Sequence, residues 1–323
     1  MRKLRVMIYE DVVLSAVSSI LDLLKAANEL ADAWNKPRPF QVELVGEKLK
    51  NVQLDAGAQF ICTKTLDNLT DGDLMIIPPF KGNPEVVLKK HKGIISWIEQ
   101  KGLFRGEWAS LCYGAYFLAE AGLLKNKRAT SHWKAFNDLK SKYPAVQFLP
   151  DQIITDHDGI YTSGGAFSSL NLIIYLIEKF CGKEWAISIS KDFSIDMDRT
   201  TQTHFAIFKG QRRHNDEAIY KAQDFIEENF LKSITIDAIA AHCNMSRRNF
   251  IRRFIAATGL TPLEYIQHLK IEVAKKALEN TDEPITSIMF DAGYNDSNTF
   301  RGVFKKVAGL TPQAYQKKYN RFN

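Results

Sequence analysis

The chain has 323 residues, 45% hydrophobic and 11% aromatic, with 43 Lys and Arg against 37 Asp and Glu. That length accommodates two domains of ~100–200 residues each, the composition is that of globular protein with a sizeable core, and the densest apolar run, Leu172 to Ile177, falls far short of the ~20 residues a membrane span needs. Cys62, Cys112, Cys181 and Cys243 stand far apart with no C-x-x-C pair, which argues against a zinc site or disulfide scaffold, and the opening M-R-K-L-R-V-M-I-Y lacks the pattern of a signal peptide. A cytoplasmic protein with no metal, no cofactor and no membrane partner is expected.

The first part of the chain alternates strand and helix patterns. Leu4 to Tyr9 reads as a strand, Val12 to Ala33 as an amphipathic helix, and Phe40 to Val45 as a strand. A further strand starts at Asp73 and ends in Pro78-Pro79, and a helix is expected from Pro84 to Gln100 with Ile94, Ile95 and Ile98 on its apolar side. Ala109 to Leu111 is a strand leading into a helix from Tyr113 to Ala121, short strands follow around residues 146–162, and Ser168 to Phe180 is the last buried helix. Such alternation predicts an α/β domain, a mostly parallel flavodoxin-like sheet covered on both faces, over residues 1–190.

Within it, Trp108-Ala-Ser-Leu-Cys112-Tyr113-Gly114-Ala puts a cysteine at a strand-to-helix junction. A thiol at a helix N-terminus favours its thiolate, and twenty residues on, Ala129-Thr-Ser-His132-Trp133 supplies the kind of base that thiol nucleophiles use. With no third orienting group to name, the preferred reading is a packed Cys112 below a ligand pocket formed with Tyr113, His132 and Trp133, His132 capping the next helix. No catalytic residue is assigned, and Cys112 and His132 stand as vestigial or sensing candidates. The elbow around Cys112 and Gly114, with Ala119-Glu-Ala-Gly-Leu-Leu124 and Arg128-Ala-Thr-Ser-His-Trp133, resembles the PfpI-type branch of the class I glutamine amidotransferase-like superfamily over residues 1 to about 190. The resemblance implies an acidic residue against the elbow cysteine in enzymatic members. That place falls near Ala16, which has no carboxylate, Glu10 or Asp11 substituting only if the alignment is shifted, and the absence counts against peptidase or amidase chemistry.

Periodicity fades over residues 191–215, read as a linker or irregular arm that ends in Gln211-Arg-Arg213-His-Asn-Asp216. Residues 216–323 are all helical in pattern: Ala218 to Asn229, Ile236 to His242, Ser246 to Thr258, Pro262 to Glu279, Ile285 to Ala292, Ser297 to Ala308 and a final turn after Pro312. One stretch occurs twice, fifty residues apart: Phe250-I-R-R-F-I-A-A-T-G-L-T-P-L-E-Tyr265 and Phe300-R-G-V-F-K-K-V-A-G-L-T-P-Q-A-Tyr315. The paired Phe share one helix face. Gly ends the helix in the left-handed conformation, and Thr-Pro caps and starts the next. Glu264 completes a capping box with Thr261, which Ala314 cannot do in the second copy.

All of the net charge of +6 sits in residues 240–323, where thirteen Lys and Arg meet seven Asp and Glu. A basic terminal domain behind a neutral one points to a polyanion. Opposite Phe250 and Phe254 lie Arg248 and Arg252, flanked by Ile251, in position to reach guanine in a major groove. Arg253, nearer the core flank, is expected on a phosphate. In the second helix Asn298 and Gly302 oppose Phe300 and Phe304, with Ser297, Thr299 and Arg301 at the borders. A mid-helix Gly costs about 1 kcal/mol against Ala, so a close approach is the expected reason for Gly302.

Residues 216–320 resemble the AraC/XylS family of transcription regulators. The match rests on Ile239-Ala240, Ser246, Phe254, Gly259-Leu-Thr-Pro and Tyr265, then Ala292-Gly-Tyr-Asn-Asp296, Phe300, Phe304, Gly309-Leu-Thr-Pro and Tyr315. The resemblance implies two helix-turn-helix units on a linker helix, with base contacts from Arg248, Ile251 and Arg252, then from Ser297, Asn298, Thr299 and Arg301. The family usually has Arg where this chain has Gly302, which weakens the expected readout by the second helix. Regulators that join a PfpI-type domain to an AraC-type tail are similar to the whole chain. They imply a front domain that senses a small molecule, and many control catabolism of small nitrogen compounds. The expected partners are double-stranded DNA, a small-molecule effector, a second copy in a homodimer and, where the output is activation, RNA polymerase. Activation is the commoner behaviour of the family. The rival readings are a thiol-dependent hydrolase or amidase, or a redox sensor, using Cys112 with a DNA-targeting tail.

Overall fold

The computed structural model describes residues 1–323 except 49–50, 55–56, 70–73, 102–105, 166, 199–200, 213 and 321–323. Asp73 and Arg213, each part of an expected segment, thus lie outside the described residues. The chain forms two compact units, 1–202 and 203–323.

In the first unit the strands are β1 (Arg2–Ile8), β2 (Phe40–Gly46), β3 (Asn51–Gln53), β4 (Gln59–Ile61), β5 (Lys64–Thr65), β6 (Leu74–Ile77), β7 (Glu107–Leu111), β8 (Arg128–Ala129), β9 (Gln147–Phe148), β10 (Ile154–His157) and β11 (Ile160–Ser163). Among the described residues seven of them make one sheet in the order β10-β11-β7-β6-β1-β2-β5, parallel except for β10. β6 and β11 are buried at every residue, as strands covered on both faces require. The chain steps from β1 to β2 on one side and then returns to place β6 on the other. With right-handed crossovers, the helix after β1 and those after β6 must cover opposite faces. Accordingly α1 (Leu14–Ala33) packs with α6 (Ser168–Cys181) and α7 (Lys183–Asp192), whereas α2 (Pro84–Lys90) and α3 (Lys92–Lys101) pack with α4 (Ala115–Glu120). The reversal falls between β1 and β6, and the carboxyl ends of strands beside such a point are the usual ligand position in sheets of this kind.

Three local features differ from expectation. The helix expected over Pro84 to Gln100 breaks at His91, whose ring nitrogens are fastened to Asp11 and Glu47, so a long-range anchor interrupts a periodic pattern. The helix after Cys112 begins as a 3-10 turn, Cys112–Gly114, before α4. α5 (Phe136–Lys142) and α7 are additional helices; α7 starts beyond Gly182, whose φ of +102° ends α6.

The second unit holds α8 (Glu217–Asn229), α9 (Ile236–His242), α10 (Arg247–Thr258), α11 (Pro262–Asn280), α12 (Ile285–Asp291), α13 (Ser297–Ala308) and α14 (Pro312–Tyr319). The expected final turn is therefore two turns of helix. Two small cores form on either end of α11. One gathers Ile219, Ile226, Ile239, Phe250, Phe254 and Tyr265, the other Ile271, Leu278, Ile288, Phe300, Phe304 and Tyr315.

The segment expected as a linker or arm divides between the two units. Residues up to Gln202 belong to the first, where Thr201 bridges Gln152. From Thr203 the chain is an arm laid along α11. His204 and Phe205 meet Tyr319 and Lys318, the Ala206 carbonyl accepts from Lys275 Nζ at 2.5 Å, and Phe208 packs on Tyr265 and His268. Its apolar and backbone contacts, not its own periodicity, give the arm its course.

Candidate nucleic-acid interface and effector site

The repeat is a repeat of structure. Phe250 and Phe254 meet edge-to-face at 5.5 Å, and Phe254 meets Tyr265 at 5.3 Å; the corresponding distances in the second copy are 5.7 Å and 5.5 Å. All six rings are essentially fully buried. Gly259 and Gly309 end α10 and α13 in the left-handed region at φ +71° and +72°, where only glycine is unstrained. Thr261 and Thr311 cap α11 and α14, and Glu264 closes the capping box on Thr261. Ser246 and Asp296 cap the two exposed helices, α10 and α13, so both start from a fixed point. The turns before them use Asn244 and Gly293, again at positive φ.

With the Phe faces buried, the opposite faces are fixed outward. Arg248 and Arg252 are exposed on α10, Ile251 is half-buried beside them, and Arg252 Nη2 donates to Asn249 Oδ1 at 2.9 Å. On α13, Asn298, Thr299, Arg301 and Gly302 are exposed and Ser297 is half-buried. A methyl group added to Gly302 meets nothing within 4 Å, so no close approach within the chain calls for glycine there. Arg253 has a partner within the chain. Its guanidinium grips the Asp216 carboxylate at 2.6 and 2.9 Å, beside an open cleft of about 650 Å³ lined by His214, Lys221 and Ala257. A guanidinium already forked onto a carboxylate must give up that pair to reach a phosphate.

In the first unit Cys112 sits directly after β7 with φ +54°, a left-handed value that a non-glycine residue adopts only where the surroundings impose it. Gly114 shows the source of the constraint: a Cβ there would stand 2.4 Å from the Ile77 carbonyl and 3.1 Å from that of Pro78, so the turn is pressed against the end of β6. Ser131 Oγ donates to the Cys112 carbonyl at 2.7 Å, which brings the His132 segment to the elbow. Tyr113 and His132 meet edge-to-face at 5.5 Å, and the His132 and Trp133 rings lie 5.4 Å apart, tilted by 32°. His132 Nδ1 accepts from the Lys134 amide at 3.1 Å and so caps the 3-10 turn Trp133–Ala135. Burial, helped by the nearby Lys134 charge, pushes the His132 pKa down to about 4. The ring is neutral at physiological pH, with Nδ1 occupied.

Glu10 and Asp11 are engaged as well. Asp11 Oδ2 is 2.8 Å from His91 Nε2 and 3.0 Å from Lys90 Nζ, and Glu10 also pairs with Lys90 at 2.9 Å. Glu47 holds the other side of His91 at 2.9 Å. Sequence reasoning gave His91 no role, since its two partners lie 80 and 44 residues away. Among the described residues no group of three or more His, Cys, Asp or Glu is arranged to hold a metal ion, and no helix is long and apolar enough to cross a membrane.

Comparison with known proteins agrees with both halves. The DJ-1/PfpI family model matches residues 12–179, and a helix-turn-helix domain model matches residues 239–318. The HTH-type transcriptional regulator GbdR of Pseudomonas aeruginosa is 23% identical over 308 residues, 95% of this chain and 82% of that protein. The HTH-type transcriptional activator RhaS of Klebsiella pneumoniae is 30% identical over 100 residues, 31% of this chain and 36% of its own. Among solved structures, an AraC family transcriptional regulator from Pseudomonas putida covers 60% of this chain and 100% of that one at TM-score 0.52 and 18% identity, a likeness of fold.

Proposed function

Because the chain belongs to the DJ-1/PfpI family and, through its AraC-type tail, is a DNA-binding transcriptional regulator, we propose that α10 and α13 read DNA and that the elbow site receives the small molecule that controls them. The observation that carries the first part is the pair of outward faces held on identical Phe-Phe-Tyr cores. In this reading Arg248 and Arg252 make the bidentate base contacts, and Ile251 supplies apolar contact. Ser297, Asn298, Thr299 and Arg301 add weaker readout and backbone contacts. The effector settles against Tyr113, His132 and Trp133 above Cys112, and acts by binding the two states of a homodimer with different affinity. The output is activation through RNA polymerase, in the cytoplasm.

A non-enzymatic front domain is supported by how the elbow's neighbours are used. A thiol nucleophile needs a base and an orienting group. Here His132 is a cap with a strongly lowered pKa, Asp11 is bound to His91 and Lys90, and Ala16 carries no carboxylate.

DNA selected from a random pool by the full chain gives the test. Arg248→Ala with Arg252→Ala should abolish the specific footprint, at a cost of about 1–3 kcal/mol per lost bidentate contact; undiminished protection sinks the assignment. For the sensor, a thermal-shift screen of small metabolites on the wild type and Trp133→Ala should find compounds that raise only the wild-type midpoint.

A further inference from the structure

Gln202, the last residue of the first unit, is 1% exposed. A primary amide buried to that degree is costly unless its hydrogen-bonding groups are met. Nε2 donates to the Ser131 carbonyl at 2.9 Å, with the Gln152 carbonyl at 3.3 Å and Thr130 Oγ1 at 3.4 Å, and Oε1 accepts from the Gly165 amide at 3.3 Å. Its own amide reaches the Asp151 carbonyl at 3.4 Å. The glycine pair after β11 is shaped around this contact. A Cβ on Gly164 would stand 2.8 Å from Gln202 Oε1, and one on Gly165 would stand 2.0 Å from His132 Cδ2.

Ser131 joins this cluster to the elbow. Its hydroxyl donates to the Cys112 carbonyl and its carbonyl accepts from Gln202, so two hydrogen bonds separate the elbow cysteine from the residue before Thr203. Thr203 opens the arm on the other unit. There it lies against Gly309, where an added Cβ would be 3.0 Å from Thr203 Cβ, and the arm runs on to Lys275 and Tyr265. Gln202 and Thr203, joined by one peptide bond, are thus each packed within their own unit.

We infer that Gln202 is a coupling latch: its side-chain amide ties the Ser131–His132 segment and Gly165 to the start of the arm, so that what happens at the elbow sets the order of the arm over α11. The latch deepens the proposed effector site and rests on it for the nature of the input. The latch itself is tested without an effector.

The experiment is peptide-resolved amide hydrogen exchange on the full chain. The Ala206 amide, bonded to the Thr203 carbonyl at 3.0 Å, reports on the arm. Gln202→Ala should speed exchange in residues 129–132 and also in 203–210, by about tenfold or more, while leaving β1 and α1 unchanged. Ser131→Ala should act on 203–210 in the same direction and add nothing in the Gln202→Ala background. An arm that exchanges at the wild-type rate in Gln202→Ala overturns the latch, as does a Ser131→Ala effect on the arm of equal size with and without Gln202. If Gln202→Ala fails to fold, Gln202→Met keeps roughly the volume and removes the amide's hydrogen bonds without adding charge; the same acceleration supports the latch and an unchanged arm refutes it. A failed metabolite screen refutes the effector site and leaves this result standing.

Discussion

Arg253 and Asp216 are joined by a two-point contact, Nη2 to Oδ1 at 2.6 Å and Nε to Oδ2 at 2.9 Å, that ties α10 to the start of α8. Asp216 serves twice, because its Oδ1 also caps α8 on the Ile219 amide. The hydrogen bond from Arg253 lowers the Asp216 pKa, and the capped amides lower it further. A carboxyl lowered on folding contributes stability that is present above its unfolded value and is lost as pH falls through the folded one. Asp216→Ala should therefore cost about 1 kcal/mol at neutral pH through the lost cap alone, and should flatten the acid side of the second unit's stability. Far-UV ellipticity against denaturant checks this. All five tryptophans, Trp34, Trp97, Trp108, Trp133 and Trp185, lie in the first unit, so the tryptophan fluorescence midpoint should not move.

Tyr265 and Tyr315 occupy matching places in the repeat and end in matching hydrogen bonds, to Glu227 at 2.6 Å and to Glu279 at 2.5 Å. Gln223, fully buried, also donates to the Tyr265 hydroxyl at 3.1 Å and to the Gln211 carbonyl at 2.7 Å. Tyr265→Phe keeps the ring packing and removes two hydrogen bonds from this network, the one to Glu227 and the one from Gln223, so it should cost about 1–3 kcal/mol. Phe254→Ala, which empties space between two rings, should cost about 3–5 kcal/mol. An ellipticity midpoint for Tyr265→Phe equal to that of Phe254→Ala would show that the hydroxyl, not the ring, dominates this core.

Gly302 is exposed in the middle of α13 with open space where a Cβ would stand. Gly302→Ala should accordingly stabilise the second unit by about 1 kcal/mol. Gly302→Arg restores the charge that Arg252 supplies in the first copy. It should tighten binding to selected DNA and steepen the dependence of log K on log salt by about one unit. A loss of stability in Gly302→Ala would mean that the glycine serves the fold and not the DNA-facing surface.

What was legible in the sequence was local chemistry. The left-handed glycines, the Thr-Pro starts and the i, i+4 phenylalanines each act within a few residues, so both helix-turn-helix corners follow from text alone, as does the alternation that builds the sheet. The elbow was legible as a strand-to-helix junction for the same reason. Contacts set by distant residues were not. His91 breaks a helix because of Asp11 and Glu47. Arg253 is paired with Asp216, 37 residues earlier. Gln202 looks like linker because the segments that bury it lie 37 to 72 residues away. A polar residue in a polar stretch carries no sign of burial unless its partners are known.

His91 gives the sharpest pH prediction. Burial opposes its charge, yet the hydrogen bonds to Glu47 and Asp11 outweigh burial and raise its pKa above the usual 6.5. With a carboxylate on each ring nitrogen, both nitrogens must donate, which only the imidazolium does. Its stabilising contribution is then fully present below about pH 6.5, the unfolded value, and disappears as pH rises through the folded one. Asp11 works in the opposite direction: its lowered pKa gives stability that is lost only as pH falls through the acidic range. The first unit should thus lose stability as pH rises above about 6.5, through the raised His91 value. His91→Leu should remove that slope and cost about 3 kcal/mol at pH 6 by leaving Glu47 without its partner. Tryptophan fluorescence in urea between pH 5 and pH 9 measures both; a wild-type slope that survives in His91→Leu would place its origin in another group.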